Sequence, residues 1–183
     1  MIEGLYNFAK EWSKTGSIYM VSDTHFEDSD RSYMNYWMTE DEQISVLKNI
    51  CHRPDTLIHL GDVGNPEYLD KLKCYKVLIT GNHDSANVFR YFDEVYRGPL
   101  TISPKIILSH EPIAINTYVD SNMCMINIHG HDHNGRFIDK YHFNIAQNVY
   151  GLHPLNLKQF IKDGILNSVE DTHRQTINDA SSK

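Results

Sequence analysis

Five times along the chain an apolar, partly β-branched run of strand length stops abruptly at Gly, Ser, Asp or His: "SIYMVSDTH", "DTLIHLGDV", "YKVLITGNHD", "KIILSHEP" and "CMINIHGHDH". Helix signals lie between these runs. "TEDEQISVLKNIC" carries Thr39 and Glu42 at capping-box spacing, "PEYLDKLK" begins on Pro66, and "ANVFRYFD" follows the third run. Strands interleaved with helices specify a layered α/β domain. "RGPLTISPKIILSH" reads as a hairpin turning near Ser103 and Pro104, which adds antiparallel pairing and makes the sheet mixed. Ligands of such sheets collect at the carboxyl ends of the strands, where all five polar clusters fall. The opening "MIEGLYNFAKEWSKTG" reads as a short amphipathic helix through Leu5, Phe8 and Trp12, ended by Gly16 and packed outside the chemistry.

With 183 residues and neither a repeat nor a linker, the expectation is a single domain over 1–183 with a polar tail at about 168–183. Apolar runs such as "KIIL" and "TLIHL" are too short to cross a bilayer. The N-terminus carries Glu3, Lys10 and Glu11 where an export signal needs uninterrupted apolar residues. Cys51, Cys74 and Cys124 are odd in number and widely spaced, which argues against a disulfide framework or a thiolate zinc site and fits a reducing cytoplasm. A formal charge of −7 offers no footprint for long duplex nucleic acid, so a small or short substrate is expected.

The strand-end inventory is Asp23 and His25; Asp62; Asn82, His83 and Asp84; His110; and His131, Asp132 and His133. In "DTH" the acid and the imidazole stand at i and i+2, so on an extended segment they leave the same side and meet one ion. His131 and His133 have the same spacing; a continuing strand would give them one ion, whereas a turn after Gly130 would aim them at two. The donors are nitrogen and oxygen without sulfur, which suits Mn²⁺, Fe, Zn²⁺, Ni²⁺ or Co²⁺, and so many imidazoles disfavour Mg²⁺. Seven ligands exceed the four of a tetrahedral site, so two ions sharing a carboxylate are the economical interpretation.

Plainer readings exist for each residue. Taken alone, "GNHD" is a turn, Asp23 caps a turn, Asp62 ends a strand, and His110 and His131 are core imidazoles bonded to backbone. Alternation sends His59 and His129 away from the neighbouring ligands, into packing or a supporting role. His52, His142, His153 and His173 have no motif around them and are assigned to surface or loops. Tyr33, Tyr36 and Trp37 in "RSYMNYWM" either wall a pocket or, at helical spacing, simply pack.

"DTH", "GD" at 61 and 62, "GNHD" at 81–84, "SH" at 109 and 110, and "GHDH" at 130–133 resemble the five ordered motifs of the calcineurin-like metallophosphoesterases, over residues 18–146. The likeness is to the small, single-domain bacterial and phage members. It implies an α-β-β-α sandwich of mixed sheets flanked by helices, with the metal site at the carboxyl ends of the strands. It also implies a metal-dependent phosphoesterase, above all a phosphodiesterase, in which a hydroxide bridging two divalent ions attacks a phosphoester or nucleotide. Mn²⁺ is the first expectation, with Fe, Zn²⁺, Ni²⁺ or Co²⁺ as alternatives. Asp23, His25 and His133 would hold the first metal, Asp62 would bridge, and Asn82, His110 and His131 would hold the second. His83 would be the catalytic group facing substrate, with Asp84 either orienting it or capping the next helix. Phosphomonoesterase or nucleotide pyrophosphatase activity, or a catalytically inactive scaffold of the same fold, are the competing implications. One departure stands out: relatives often continue "DTHF" with Gly-His, whereas this chain reads "FEDSDR". Glu27 and Asp28 are then read as an exposed acidic loop, with Arg31 available to compensate.

Overall fold

The structure is a computed structural model that describes residues 1–36, 38–114, 125–135, 139, 141–151 and 153–169. Trp37, Cys124, His173 and the tail from 170 onward lie outside the described residues.

All five sequence runs form strands. β1 (Ile18–Val21), β2 (Thr56–His59), β3 (Tyr75–Ile79) and β4 (Glu94–Tyr96) pair in parallel, and β9 (Leu155–Asn156) adds antiparallel to β1, in the order β4-β3-β2-β1-β9. A second sheet has the order β5-β6-β7-β8, from β5 (Leu100–Ser103), β6 (Ile106–Leu108), β7 (Ile126–His129) and β8 (His142–Asn144). β5 and β6 make the expected hairpin around Ser103 and Pro104, while β6, β7 and β8 run parallel. The architecture is therefore mixed α/β with two mixed sheets flanked by helices.

Period-two alternation divides the core. Ile18, Met20, Ile58, Val77 and Ile79 of the first sheet pack with Ile102, Ile106, Leu108, Ile126 and Ile128 of the second. On the opposite face Val21, Leu57 and Leu78 meet Ile44 and Leu47 of α2 (Glu40–Ile50), Leu69 of the 3-10 helix Pro66–Lys71, and Val88 of α3 (Ala86–Phe89). Burying each such side chain contributes roughly 1.5–3 kcal/mol. α2 begins with the capping box foreseen at Thr39 and Glu42. "PEYLDKLK" becomes a 3-10 helix because Asn65 caps it through Glu67 and the chain straightens at Leu72. At the N-terminus, α1 (Asn7–Glu11) buries Ala9 and leaves Phe8 41% exposed, while Leu5 and Trp12 are buried on either side of it. Trp12 is anchored by a 3.0 Å bond from Nε1 to Glu94 Oε1. Cys51 and Cys74 are buried free thiols. Among the described residues no helix is long and apolar enough to cross a membrane.

Register brings the polar loops level. Val21 pairs with His59 and His59 with Leu78, so the segments starting at Ser22, Leu60 and Thr80 leave the first sheet side by side. A bridge from Ser22 to Ala146 and bonds from Gly130 N to His110 O and His131 N to Asp23 join them to the ends of β6 and β7.

Candidate metal centre

Six non-glycine residues among those described have positive φ, and four are predicted ligands: Asp23 (56°), His25 (42°), Asp62 (56°) and His131 (62°). Left-handed backbone costs an L residue of order 1–3 kcal/mol and tends to cluster at functional sites. This overturns the extended geometry expected for "DTH". Asp23 and His25 converge through a left-handed turn, with His25 Nε2 3.9 Å from Asp23 Oδ1. The positive φ of His131 also answers the question left open for His131 and His133: the turn separates them.

Two clusters result. In one, Asp23, His25 and His133 face each other, with His133 Nε2 3.3 Å from Asp23 Oδ1. In the other, Asp62, His110 and His131 converge, and Asn82 Oδ1 lies 2.9 Å from His110 Nε2 and 3.0 Å from His131 Nδ1. Asp62 Oδ2 stands between the clusters, 3.7 Å from His25 Nε2 and 3.3 Å from His110 Nε2. All seven predicted ligands are thus brought together.

Neighbouring groups decide which ring nitrogens are free. His25 Nδ1 bonds Asp28 Oδ2 at 2.9 Å, His110 Nδ1 bonds Leu60 O at 2.8 Å and His133 Nδ1 bonds Asn148 Oδ1 at 2.8 Å. Each Nδ1 faces an oxygen acceptor and carries a proton, so Nε2 is the nitrogen each neutral ring can offer to a cation, aimed at carboxylates. His25 Nε2 is buried without a hydrogen-bond partner. Lone pairs and carboxylates buried together repel unless a cation lies among them, so the donor set fits divalent metals. His110 shows the same demand. Burial opposes its charge, but Asp62 and Asp23 outweigh that and push its pKa up to about 9. Burial likewise works against ionisation of Asp62, yet the hydrogen bond and charge of His110 and the His83 amide hold its carboxyl down at about 2.

His83 stands at the exposed rim, its ring centroid 5.6 Å from that of His25 and its backbone N–H on Asp62 Oδ1 at 2.9 Å. Asp84 neither caps α3 nor turns its carboxylate to His83. It accepts from the amides of Gly81 (2.8 Å), Val63 (2.9 Å) and Asp62 (3.0 Å), which fixes the Asp62 loop. His59 packs as expected. Gly61 N–H donates to Nδ1 at 3.1 Å, so the proton sits on Nε2 and is donated to Thr24 Oγ1 at 3.0 Å, whose own hydroxyl donates to Val63 O. Burial drives the pKa of this neutral ring down to about 3. His129 is likewise buried, with Nδ1 on Gly130 O. Ser22 and Ser109 donate to the carbonyls of Leu60 and Glu111, and neither is placed as a nucleophile.

The acidic loop is a correction. Asp28 is not a solvated surface acid, since it fixes the His25 tautomer, and Glu27 accepts from Asn65 and Tyr68. Arg31 does not compensate for them. Its guanidinium donates to the carbonyls of Thr24 and Met38 and to Gln43 and pairs with Glu40 at 3.2 Å, so it braces the loop. Tyr36 reaches the site after all, donating its hydroxyl to Asp23 O and lying under Arg31 at 4.2 Å. Tyr33, by contrast, is 84% exposed. His142 belongs to strand β8 and bonds Asp139 and Ile113 O, while His52 and His153 are exposed as read. Sequence reasoning missed Asn148, whose only hint was an asparagine at a helix start.

A family profile described as calcineurin-like phosphoesterase superfamily domain matches residues 17–145. The chain belongs to that superfamily. As a calcineurin-like phosphoesterase it is a hydrolase of phosphoric esters, in a family that typically binds divalent metals. The fold is similar to the crystal structure of AQ665 from Aquifex aeolicus, a protein of unknown function (TM-score 0.61, 26% identity, covering 80% of this chain and 98% of that one). A nuclease, MPE, from Pseudomonas putida also matches (TM-score 0.43, 20% identity, covering 62% of this chain and 60% of that one). No curated protein sequence matches.

Proposed function

We propose that this calcineurin-like phosphoesterase is a phosphodiesterase working with two divalent ions, Mn²⁺ first among the candidates. Asp23, His25 and His133 would hold one ion and Asn82, His110 and His131 the other, with Asp62 within reach of both. The observation that carries the reading is the buried His25 Nε2, facing Asp23 and Asp62 with nothing between them to donate a proton. When bound, a pair of such ions supplies Lewis-acid charge to phosphoryl oxygens and acidifies water at the site.

The chain's own residues do the rest. Asp28, Asn148 and Leu60 O hold the three imidazoles in one tautomer, so the ligands need not reorganise. A water oxygen bonds to phosphorus and loses a proton to solvent, the ester P–O bond breaks, and the departing oxygen takes a proton. His83, beside His25 at the rim, is placed to give that proton or to stabilise charge on the phosphoryl group. Asp28 and Asp30 lie within 4.8 Å of ring nitrogen of His83, so this flank repels the second negative charge of a monoester more than the single charge of a diester. That is the reason to prefer diesters over monoesters. Small phosphoesters or nucleotides are the fitting substrates.

The test is metal-stripped protein reloaded with Mn²⁺, Fe²⁺, Zn²⁺, Ni²⁺ or Co²⁺ and assayed on bis(p-nitrophenyl) phosphate and p-nitrophenyl phosphate, with metal analysis. About two ions per chain and faster diester turnover are expected. Asp62→Ala or His83→Ala protein as active as wild type would overturn the reading.

A further inference from the structure

Beside the Asn82 and His110 end of the centre opens a cleft of about 340 Å³, lined among others by Thr80, Asn82, Arg97, Ser109, His110 and Glu111. We infer that this cleft is a subsite for a nucleotide arm of the substrate, in which Arg97 grips a second phosphate beyond the scissile one. The inference deepens the phosphodiesterase reading and rests on it.

Three observations carry it. First, the flanks of the centre differ in charge: the His25 and His83 side carries Asp28 and Asp30, and the arginine there, Arg31, is tied to Thr24 O, Met38 O, Gln43 and Glu40. An additional anion is repelled on that side and must lie on the other. Second, Arg97 is exposed and, among the described residues, has no carboxylate partner, while its guanidinium is supported 5.3 Å from the ring centroid of Phe89. A cation steadied on an aromatic face loses less entropy when it binds, and its planar fork suits two phosphate oxygens. Third, Arg97 is held in register with the site. Thr80 N–H donates to Tyr96 O at 2.9 Å, fastening the residue before Arg97 to the segment that leads into Asn82. Pro99 further restricts the turn that follows.

The volume is within the range of pockets that enclose a small organic ligand, which suits a nucleoside-sized group. Glu111, exposed at the rim, disfavours a long polyanion running out of the cleft and limits the arm to a short one.

Two chromogenic diesters isolate the second phosphate: thymidine 3′-(p-nitrophenyl phosphate) with and without a 5′-phosphate. Wild-type protein is expected to favour the phosphorylated ester by about tenfold or more in kcat/KM, equivalent to about 1.4 kcal/mol. Arg97→Ala should collapse that ratio to within about twofold of unity, Arg97→Lys should retain part of it, and Arg97→Glu should invert it. A wild-type ratio of unity, or a ratio untouched by Arg97→Ala, overturns the inference. Titration calorimetry of thymidine 3′,5′-bisphosphate into metal-loaded protein supplies a reading without turnover: Arg97→Ala should weaken binding about tenfold, and unchanged binding sinks the subsite. If no diester is hydrolysed, the proposed function fails while calorimetry still judges the cleft. Arg97-dependent cleavage of 5′-phosphorylated dithymidylate in preference to decathymidylate supports a short substrate arm; equal cleavage of 5′-phosphorylated decathymidylate overturns the short-arm limit drawn from the acidic flank and Glu111.

Discussion

The two halves of the centre are built differently. Asp23 and His25 are fully buried, His25 is locked by Asp28 and His133 by Asn148, and the His131 amide donates to both oxygens of Asp23 at 3.1 and 3.0 Å. In the other half His110 is held by Leu60 O, but Asn82 and His131 are exposed, and their ligand atoms meet chiefly each other and His110. One half is preorganised by its surroundings; the other is held chiefly by contacts among its own side chains. Preorganised ligands bind more tightly because less ordering accompanies binding. Metal titration should therefore resolve a tight and a weaker class of site, and a single class of identical sites would break the comparison.

The largest expected effect is at the residue the halves share. Asp62→Ala removes the carboxylate lying 3.7 Å from His25 Nε2 and 3.3 Å from His110 Nε2. Turnover of bis(p-nitrophenyl) phosphate should fall by at least about 10³-fold, the upper scale for deleting a preorganised electrostatic group. Both affinities should drop together.

Gly130→Ala comes next and should act on the buried half. A Cβ there would lie 1.9 Å from Ser22 Oγ and 2.0 Å from Asp23 Oδ2, so Asp23 must move. Its tight-site affinity is expected to fall by about 10²-fold or more, comparable with the larger effects of disturbing ligand positions. Loss of the weak site alone in this variant would refute the assignment of the halves.

Asp28→Ala and Asn148→Ala sharpen the contrast without touching a ligand. Each frees an imidazole Nδ1, and each should reduce tight-site affinity by about 10–100-fold with a smaller effect on the other site. Isothermal titration with Mn²⁺ reads both classes in one experiment.

The same contrast explains what could be read from the sequence. The proposed ligands were legible because strand-end position and residue type mark them, and so were the capping box at Thr39 and the hairpin at Ser103 and Pro104. The supporting groups were not. Asp28 lies in a polar run that looks like solvated loop, and only the left-handed turn at His25 folds it back onto the imidazole. Asn148 meets His133 across a separation of 15 residues that no local pattern encodes. Arg31 read as a free cation because sequence alone cannot show Thr24 O, Met38 O and Gln43 converging on it. The paired left-handed residues of "DTH" were missed for a similar reason: side-chain alternation describes strands, and β1 ends at Val21.

His59 joins the halves from behind, bonded to Thr24 on one loop and Gly61 on the other, and supplies the smallest effect. Its folded-state pKa is depressed by burial to about 3, below the ordinary 6.5. As pH falls through 6.5 the unfolded chain takes up a proton that the folded ring refuses, so stability drops as pH declines toward 3 and is unaffected above neutrality. The slope is at most about 1.4 kcal/mol per pH unit. His59→Gln keeps a donor and an acceptor but cannot titrate. Urea unfolding of metal-free protein between pH 7 and pH 4.5 should show a shallower decline in the variant than in wild type, with little difference in slope near pH 7. Equal slopes throughout would mean that the ring is protonated in the folded state, and that the loops of the two halves are not tied together by a neutral imidazole.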